Sequence, residues 1–299
     1  MVIALSTGSL FSYGVGRVFD LAAETGYGGM ELVIDSRWDS RQVGYLRQLT
    51  DQYGLPIVSV HSPFLGSVAD WGKNEPNCVA RALVIAEEVG AEVLVIHLPR
   101  RWGTISAGGR LGSLRLSLPL WPTKQGYSLW LREGLREAQS KTNVTIAVEN
   151  MPAWRIGPWR LDRYEMNRIE EWEGFEHLTL DTTHLGTWGL DVLEVYDRVR
   201  QKVAHVHLSN YEPDAAFREH HLPQQGILPL AALLNRMSED GYAGAVVVEL
   251  HPHNLPAESV SALRSRLEEA RGFCEAHLRL RIVTVAPQLP QSTDTIRMY

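Results

Sequence analysis

The sequence predicts an α/β protein built as one closed (β/α)8 TIM barrel, and three observations carry that prediction. Eight short apolar runs alternate with helix-like segments along the 299 residues, the pattern of repeated βα units around a parallel sheet. Gly26, Gly54, Gly90 and Gly241 each fall between a helix-like segment and the next apolar run, where helix C-terminal caps belong. Four of the runs end in a carboxylate or a histidine, at the strand end where parallel α/β folds gather their chemistry.

The apolar runs are read as strands at 2–7, 29–34, 57–63, 93–99, 145–151, 177–184, 203–210 and 245–252. Helices are expected at 16–26, 38–54, 74–89, 129–142, 162–173, 190–201, 229–240 and 256–277. The barrel spans 1–278 as a single domain and leaves 279–299 as a C-terminal tail. Pro287 and Pro290 break the periodicity of that tail, which reads as a strap over a neighbouring surface or a frayed end. The connection from Arg100 to Ser128 is far longer than the usual ~2–6 residues. It is rich in Gly and Leu and carries Trp102 and Trp121, so it is a candidate lid or contact of a homo-oligomer. Gly8, Gly14 and Gly16 follow the first strand without the GxGxxG spacing, which argues against a dinucleotide site.

Composition narrows the function classes. A hydrophobic fraction of 44% suffices for a sizeable core. The formal charge of -6 supplies no global basic footprint and argues against nucleic acid as the partner. Cys78 and Cys274 stand far apart without a CxxC pattern, which suits a reducing compartment and offers no thiol-rich metal site. The first residues lack the basic region and apolar core of a signal peptide, and no apolar run reaches the ~18 residues of a membrane span. The expectation is a cytoplasmic protein without a membrane partner.

The strand ends carry the chemistry. TIAVEN ends in Glu149, HLTLDTTH carries Asp181 and His184, HVHLSN carries His207, and VVVELHP carries Glu249. Alternate side chains of a strand share a face. Thr145, Ala147 and Glu149 therefore point one way, as do Thr179, Asp181 and Thr183, His205 and His207, and Ala245, Val247 and Glu249. Small residues beneath an acid suggest an inward row. Glu149, Asp181, His207 and Glu249 can converge on one ion at the barrel mouth, because four polar groups gathered there are costly without a cation. Trp154 and Trp159 follow the fifth strand and Trp188 the sixth, where an indole can stack on a sugar face, and Trp154 is the leading candidate for substrate contact.

The order HSPF, IHLP, VEN, LDTTHLG, HVHLSN, REHHLPQQG and VVELH resembles the xylose isomerase-like TIM barrels, a family that includes ketose epimerases and the endonuclease IV group. The likeness runs over residues 1–275. It implies that Glu149, Asp181, His207 and Glu249 ligate a divalent metal (Mn, Zn or Mg), with Glu149 and Glu249 doubling as the catalytic acid/base pair. It also implies substrate contacts at Glu31, His61, His97 and His184. In the endonuclease branch, the residues matching His61 and His97 bind a second ion with Glu149, and those matching His184 and His220 belong to a third site. This chain departs from that branch at Arg218, where an aspartate completes the third site. A cation is repelled by arginine, so one ion, or two, is expected, and Arg218 becomes a candidate for binding substrate. Gln224-Gln225-Gly226 replaces the family's glycine-glutamate-glycine, so specificity does not carry over.

The leading expectation is a metal-dependent isomerase or epimerase of a sugar or sugar-like hydroxy-ketone, working through an enediolate with the paired glutamates moving the proton. The alternatives are an endonuclease IV-like phosphodiesterase and a metal-free barrel without catalysis.

Overall fold

The computed structural model describes residues 1–64, 66–102, 105–109, 112–116, 126–157, 159–256 and 258–278. Eight parallel strands close the expected barrel. They are β1 (Val2–Ser6), β2 (Gly29–Val33), β3 (Ile57–His61), β4 (Val93–Ile96), β5 (Thr145–Glu149), β6 (Leu178–Asp181), β7 (Val203–Leu208) and β8 (Ala245–Val248). Each pairs with its neighbours in sequence, and β1 closes the ring on β8. β-Branched residues dominate these runs because both faces of the sheet are covered. The outward Val60, Leu94, Ile146, Leu180, Val206 and Val246 pack into the main core under the helices.

The interior is set by register. Ser6 aligns with Glu31, Glu31 with Ser59, Val33 with His61, His61 with Val95, Val95 with Ala147, Thr179 with Glu149 and His205, and Asp181 with His207. Residues aligned across parallel strands share a face, so this ring of positions points into the barrel. Glu31, Ser59, Asp181, His205 and His207 there have no solvent exposure. A barrel interior is ordinarily filled by branched apolar side chains, and a polar column on that axis is the departure that the site must explain.

The main surrounding helices are Val15–Glu24, Val43–Tyr53, Glu75–Val89, Val192–Val199, Leu230–Glu239 and Val260–His277. A three-part helix over 126–139 has one π-helical stretch, Trp130–Gly134. Gly54 and Gly90 end their helices with φ of 65° and 75°, a left-handed geometry that a Cβ would disfavour. No helix among the described residues is long and apolar enough to cross a membrane.

Three local expectations are corrected. The strand expected to run to residue 184 ends at Asp181, whose carboxylate accepts the His184 N–H at 2.9 Å and caps a buried helix, Thr182–Trp188. Thr183 therefore leaves the inward row, and its hydroxyl bonds the Asn210 carbonyl instead. The helix expected over 162–173 shrinks to Ile169–Trp172. Before it, Trp154–Ile156 and Trp159–Leu161 pair as a hairpin whose turn places Gly157 at φ 59°, and Tyr164 bridges to Arg100. The long connection after β4 contains a second hairpin, Ile105–Gly109 with Gly112–Leu116. Trp121 and the 279–299 tail lie outside the described residues.

Candidate metal centre

Glu149 at the end of β5, Asp181 at the end of β6, His207 on β7 and Glu249 just past β8 each bring one ligand atom within 4.8 Å of the others. His207 Nδ1 is the hub, at 2.9 Å from Glu149 Oε1, 3.1 Å from Glu249 Oε2 and 3.8 Å from Asp181 Oδ2. Asp181 and His207 are fully buried, Glu149 nearly so, and the Glu249 side chain keeps 20% of its surface open to the mouth.

The electrostatics of this cluster are unbalanced. Burial works to lower the His207 pKa, but the charges of Glu31, Glu249 and Glu149 carry it well above the ordinary imidazole value. Burial raises and His207 lowers the carboxyl groups around it. The outcome is Glu149 well below the usual range and Glu249 at about 2. Asp181 goes the other way: burial raises its pKa, and the compensation from His184 and His220 is insufficient. Its Oδ2 is buried with no hydrogen-bond partner among the described residues, the Nδ1 atoms of His184 and His207 standing off at 3.5 and 3.8 Å. Three carboxylates around one imidazole, with a buried oxygen left over, are a donor set that a divalent cation fits.

Two further pairs of histidines flank this cluster. His61 Nδ1 donates to the Ser62 carbonyl at 2.9 Å, which leaves Nε2 facing Glu149 Oε2 at 3.5 Å. His97 Nε2 stands 3.3 Å from the same oxygen, and burial brings its pKa down to about 3, so it is a neutral donor. Glu149 thus turns one oxygen to His207 and the other to His61 and His97, as a bridging carboxylate would. On the opposite flank, Asp181, His184 and His220 also gather ligand atoms within 4.8 Å. His220 has φ 56°, a strained value for a non-glycine residue. It is held there by its N–H to Thr183 Oγ1 (3.1 Å), by its carbonyl accepting the His251 N–H (2.9 Å) and by the contact of Nδ1 with Ser209 Oγ (3.1 Å).

The remaining candidates are placed less directly. Glu31 does not reach the mouth; it lies inside the barrel with no exposure, its Oε2 accepting from Ser59 Oγ (2.9 Å), His205 Nε2 (2.9 Å) and His207 Nε2 (3.0 Å). Substrate contact was expected of Glu31; the structure places its carboxylate beneath the His207 imidazole, without solvent exposure. Trp154 is half-buried on its hairpin, with the Arg163 guanidinium 5.1 Å over the ring. Arg218 is exposed and forms no ion pair among the described residues. Asn150 was not singled out by its sequence, yet it clamps Asp181 from both sides, accepting its N–H at 2.8 Å and donating to its carbonyl at 3.0 Å. Its own carbonyl accepts from His184 Nδ1 at 2.7 Å. The only signal was its place directly after Glu149.

Comparison with known proteins agrees with the barrel fold. The family described as xylose isomerase-like TIM barrel matches residues 19–275. Uncharacterized protein ML2432 of Mycobacterium leprae is 27% identical over 301 residues, covering 92% of this chain and 97% of its own. Among solved structures, the 3-keto-D-glucoside 4-epimerase of E. coli superposes with a TM-score of 0.64 at 19% identity, covering 91% of this chain and 99% of its own. An AP endonuclease, family 2, from Brucella melitensis gives a TM-score of 0.63 at 18% identity, with 88% and 97% covered. At these identities the two likenesses establish the fold.

Proposed function

The chain belongs to the xylose isomerase-like TIM barrel family, and from that premise we propose that it is a divalent-cation-dependent isomerase or epimerase of a small sugar or related hydroxy-ketone. The observation that carries this reading is the convergence of Glu149, Asp181, His207 and Glu249, with Asp181 Oδ2 buried and short of a partner. These four residues would hold the cation, and Mn or Mg suits their oxygen-rich set while Zn suits the surrounding imidazoles. The cation, when bound, draws electron density from adjacent carbonyl and hydroxyl oxygens and so acidifies the carbon between them.

Proton transfer falls to the chain's own carboxylates. Glu149 and Glu249 come from the ends of β5 and β8, separated around the ring by β6 and β7, so they approach the mouth from different sides. A substrate seated between them presents one face of its reacting carbon to each. Removal of the proton by one carboxylate and its return by the other inverts that centre, so epimerisation is favoured over aldose–ketose isomerisation. His184 and His220, on the flank beside Asp181, would donate to substrate hydroxyls. The name of the E. coli neighbour, a 3-keto-D-glucoside 4-epimerase, describes a reaction of this kind. Incubation of candidate ketoses in heavy water tests the proposal. Label at the inverted carbon is expected, and turnover without label refutes the two-carboxylate route.

A second reading, a phosphodiesterase of the endonuclease type, is supported by His61 and His97 facing Glu149 Oε2 at 3.5 and 3.3 Å. Against it stand Arg218, which brings no carboxylate to the third position, and the charge of -6. Cleavage of DNA bearing an abasic site would decide in its favour.

A further inference from the structure

We infer that Glu31 is a positioning residue for the cation site, holding the His207 imidazole so that its Nδ1 faces Glu149, Asp181 and Glu249. The inference rests on the proposed cation site and concerns what stands beneath it.

Glu31 comes from β2 and reaches across the barrel interior to β7, passing over small register partners, Ser6 and Ser59. Its carboxylate has no exposure and no guanidinium or ammonium partner among the described residues; its two ion pairs are with His205 Nε2 at 2.9 Å and His207 Nε2 at 3.0 Å. A buried carboxylate carries a large desolvation penalty, and an apolar side chain would fill this barrel without it. Its value must lie in what it holds.

A carboxylate oxygen only accepts, so His207 donates from Nε2 to Glu31; in the cation-free chain its Nδ1 donates to Glu149, and a bound cation would take the place of that Nδ1 proton. The ring is fixed at both ends, by Glu31 below and by Glu149 at 2.9 Å above. His205 braces the arrangement. Its Nε2 donates to the same Glu31 oxygen, and its ring packs edge-on to His207 at 5.2 Å. Ser59 Oγ completes the grip on that oxygen at 2.9 Å. A hydrogen-bonded carboxylate behind a ligating imidazole fixes its tautomer and raises its basicity.

The test compares wild type with Glu31→Gln, which keeps the size and removes the charge. Mn2+ and Zn2+ binding to the cation-free full chain is measured by calorimetry, with circular dichroism to confirm the fold. Cation binding weaker by roughly 10–100-fold in the folded variant supports the assignment, while affinity within twofold of wild type overturns it. If Glu31→Gln does not fold, wild type alone decides: 15N-histidine spectra of the Zn2+-loaded chain must show His207 ligated through Nδ1 and protonated on Nε2, and ligation through Nε2 overturns the inference. A wild type that binds neither cation overturns the cation site, and this inference with it. Unaltered affinity in Glu31→Gln overturns the role of Glu31 alone.

Discussion

Asp181→Asn separates the structural work of Asp181 from its work as a ligand. Asp181 Oδ1 caps the Thr182–Trp188 helix by accepting the His184 N–H at 2.9 Å, and an asparagine Oδ1 can do the same. Oδ2 is the buried oxygen without a partner, and burial raises the pKa of the group. A carboxyl whose folded pKa lies above its unfolded value destabilises the fold in its charged form, and this penalty is relieved as pH falls through the folded pKa. The cation-free variant is therefore expected to be at least as stable as wild type at neutral pH, with the difference shrinking as the solution is acidified. Added cation should separate the two proteins in the other direction. A ligand at a hundredfold excess over its dissociation constant stabilises the folded state by about 2.7 kcal/mol. At roughly 2–4 °C per kcal/mol for a large single domain, wild type should gain about 5–10 °C in melting temperature. Asp181→Asn should lose most of that gain. Calorimetric melts with and without Mn2+ or Zn2+ provide the assay, and a full cation-dependent shift in the variant would refute the assignment of Asp181 as a ligand.

Four other outcomes follow from the same geometry. Glu249→Gln should abolish turnover and solvent labelling while leaving the circular dichroism spectrum unchanged, because Glu249 sits at the open edge of the cluster with 20% of its side chain exposed; an active variant removes Glu249 from the mechanism. Elemental analysis of purified protein should find fewer than three tightly bound ions per chain, and three would refute the reading of Arg218. Asn150→Ala deletes both bonds to the Asp181 backbone and should cost about 1–3 kcal/mol by chemical denaturation, with weakened cation binding. Gly186→Ala would place a Cβ 2.6 Å from Tyr211 Cβ and should destabilise by about 1–3 kcal/mol through overpacking, measurable in the same melts.

The barrel was legible in the sequence because its strands are continuous apolar runs separated by glycine-capped helices, two signals that do not depend on distant contacts. The gathering of Glu149, Asp181, His207 and Glu249 was legible for a related reason: side-chain parity along a strand fixes which residues face inward. Parity failed at Thr183, where the chain leaves the strand at Asp181. The same carboxylate that faces the cluster also caps the next helix, and a single residue carrying both roles has no separate signature. The hairpin at 154–161 was missed because its strands are three residues each, too short for periodicity to register. The depth of Glu31 was not legible, because sequence gives its face and not how far inside the barrel it lies. Only the closed barrel, with Ser6 and Ser59 beside it, shows that its carboxylate reaches His207 from below.

Anomalous diffraction from crystals of the full chain grown with Mn2+ tests the central claim most directly. A peak is expected about 2.0–2.5 Å from one oxygen each of Glu149, Asp181 and Glu249 and from His207 Nδ1, with Glu31 still on the far nitrogen of the ring. A peak elsewhere in the barrel, with Asp181 Oδ2 still unpartnered, would contradict it.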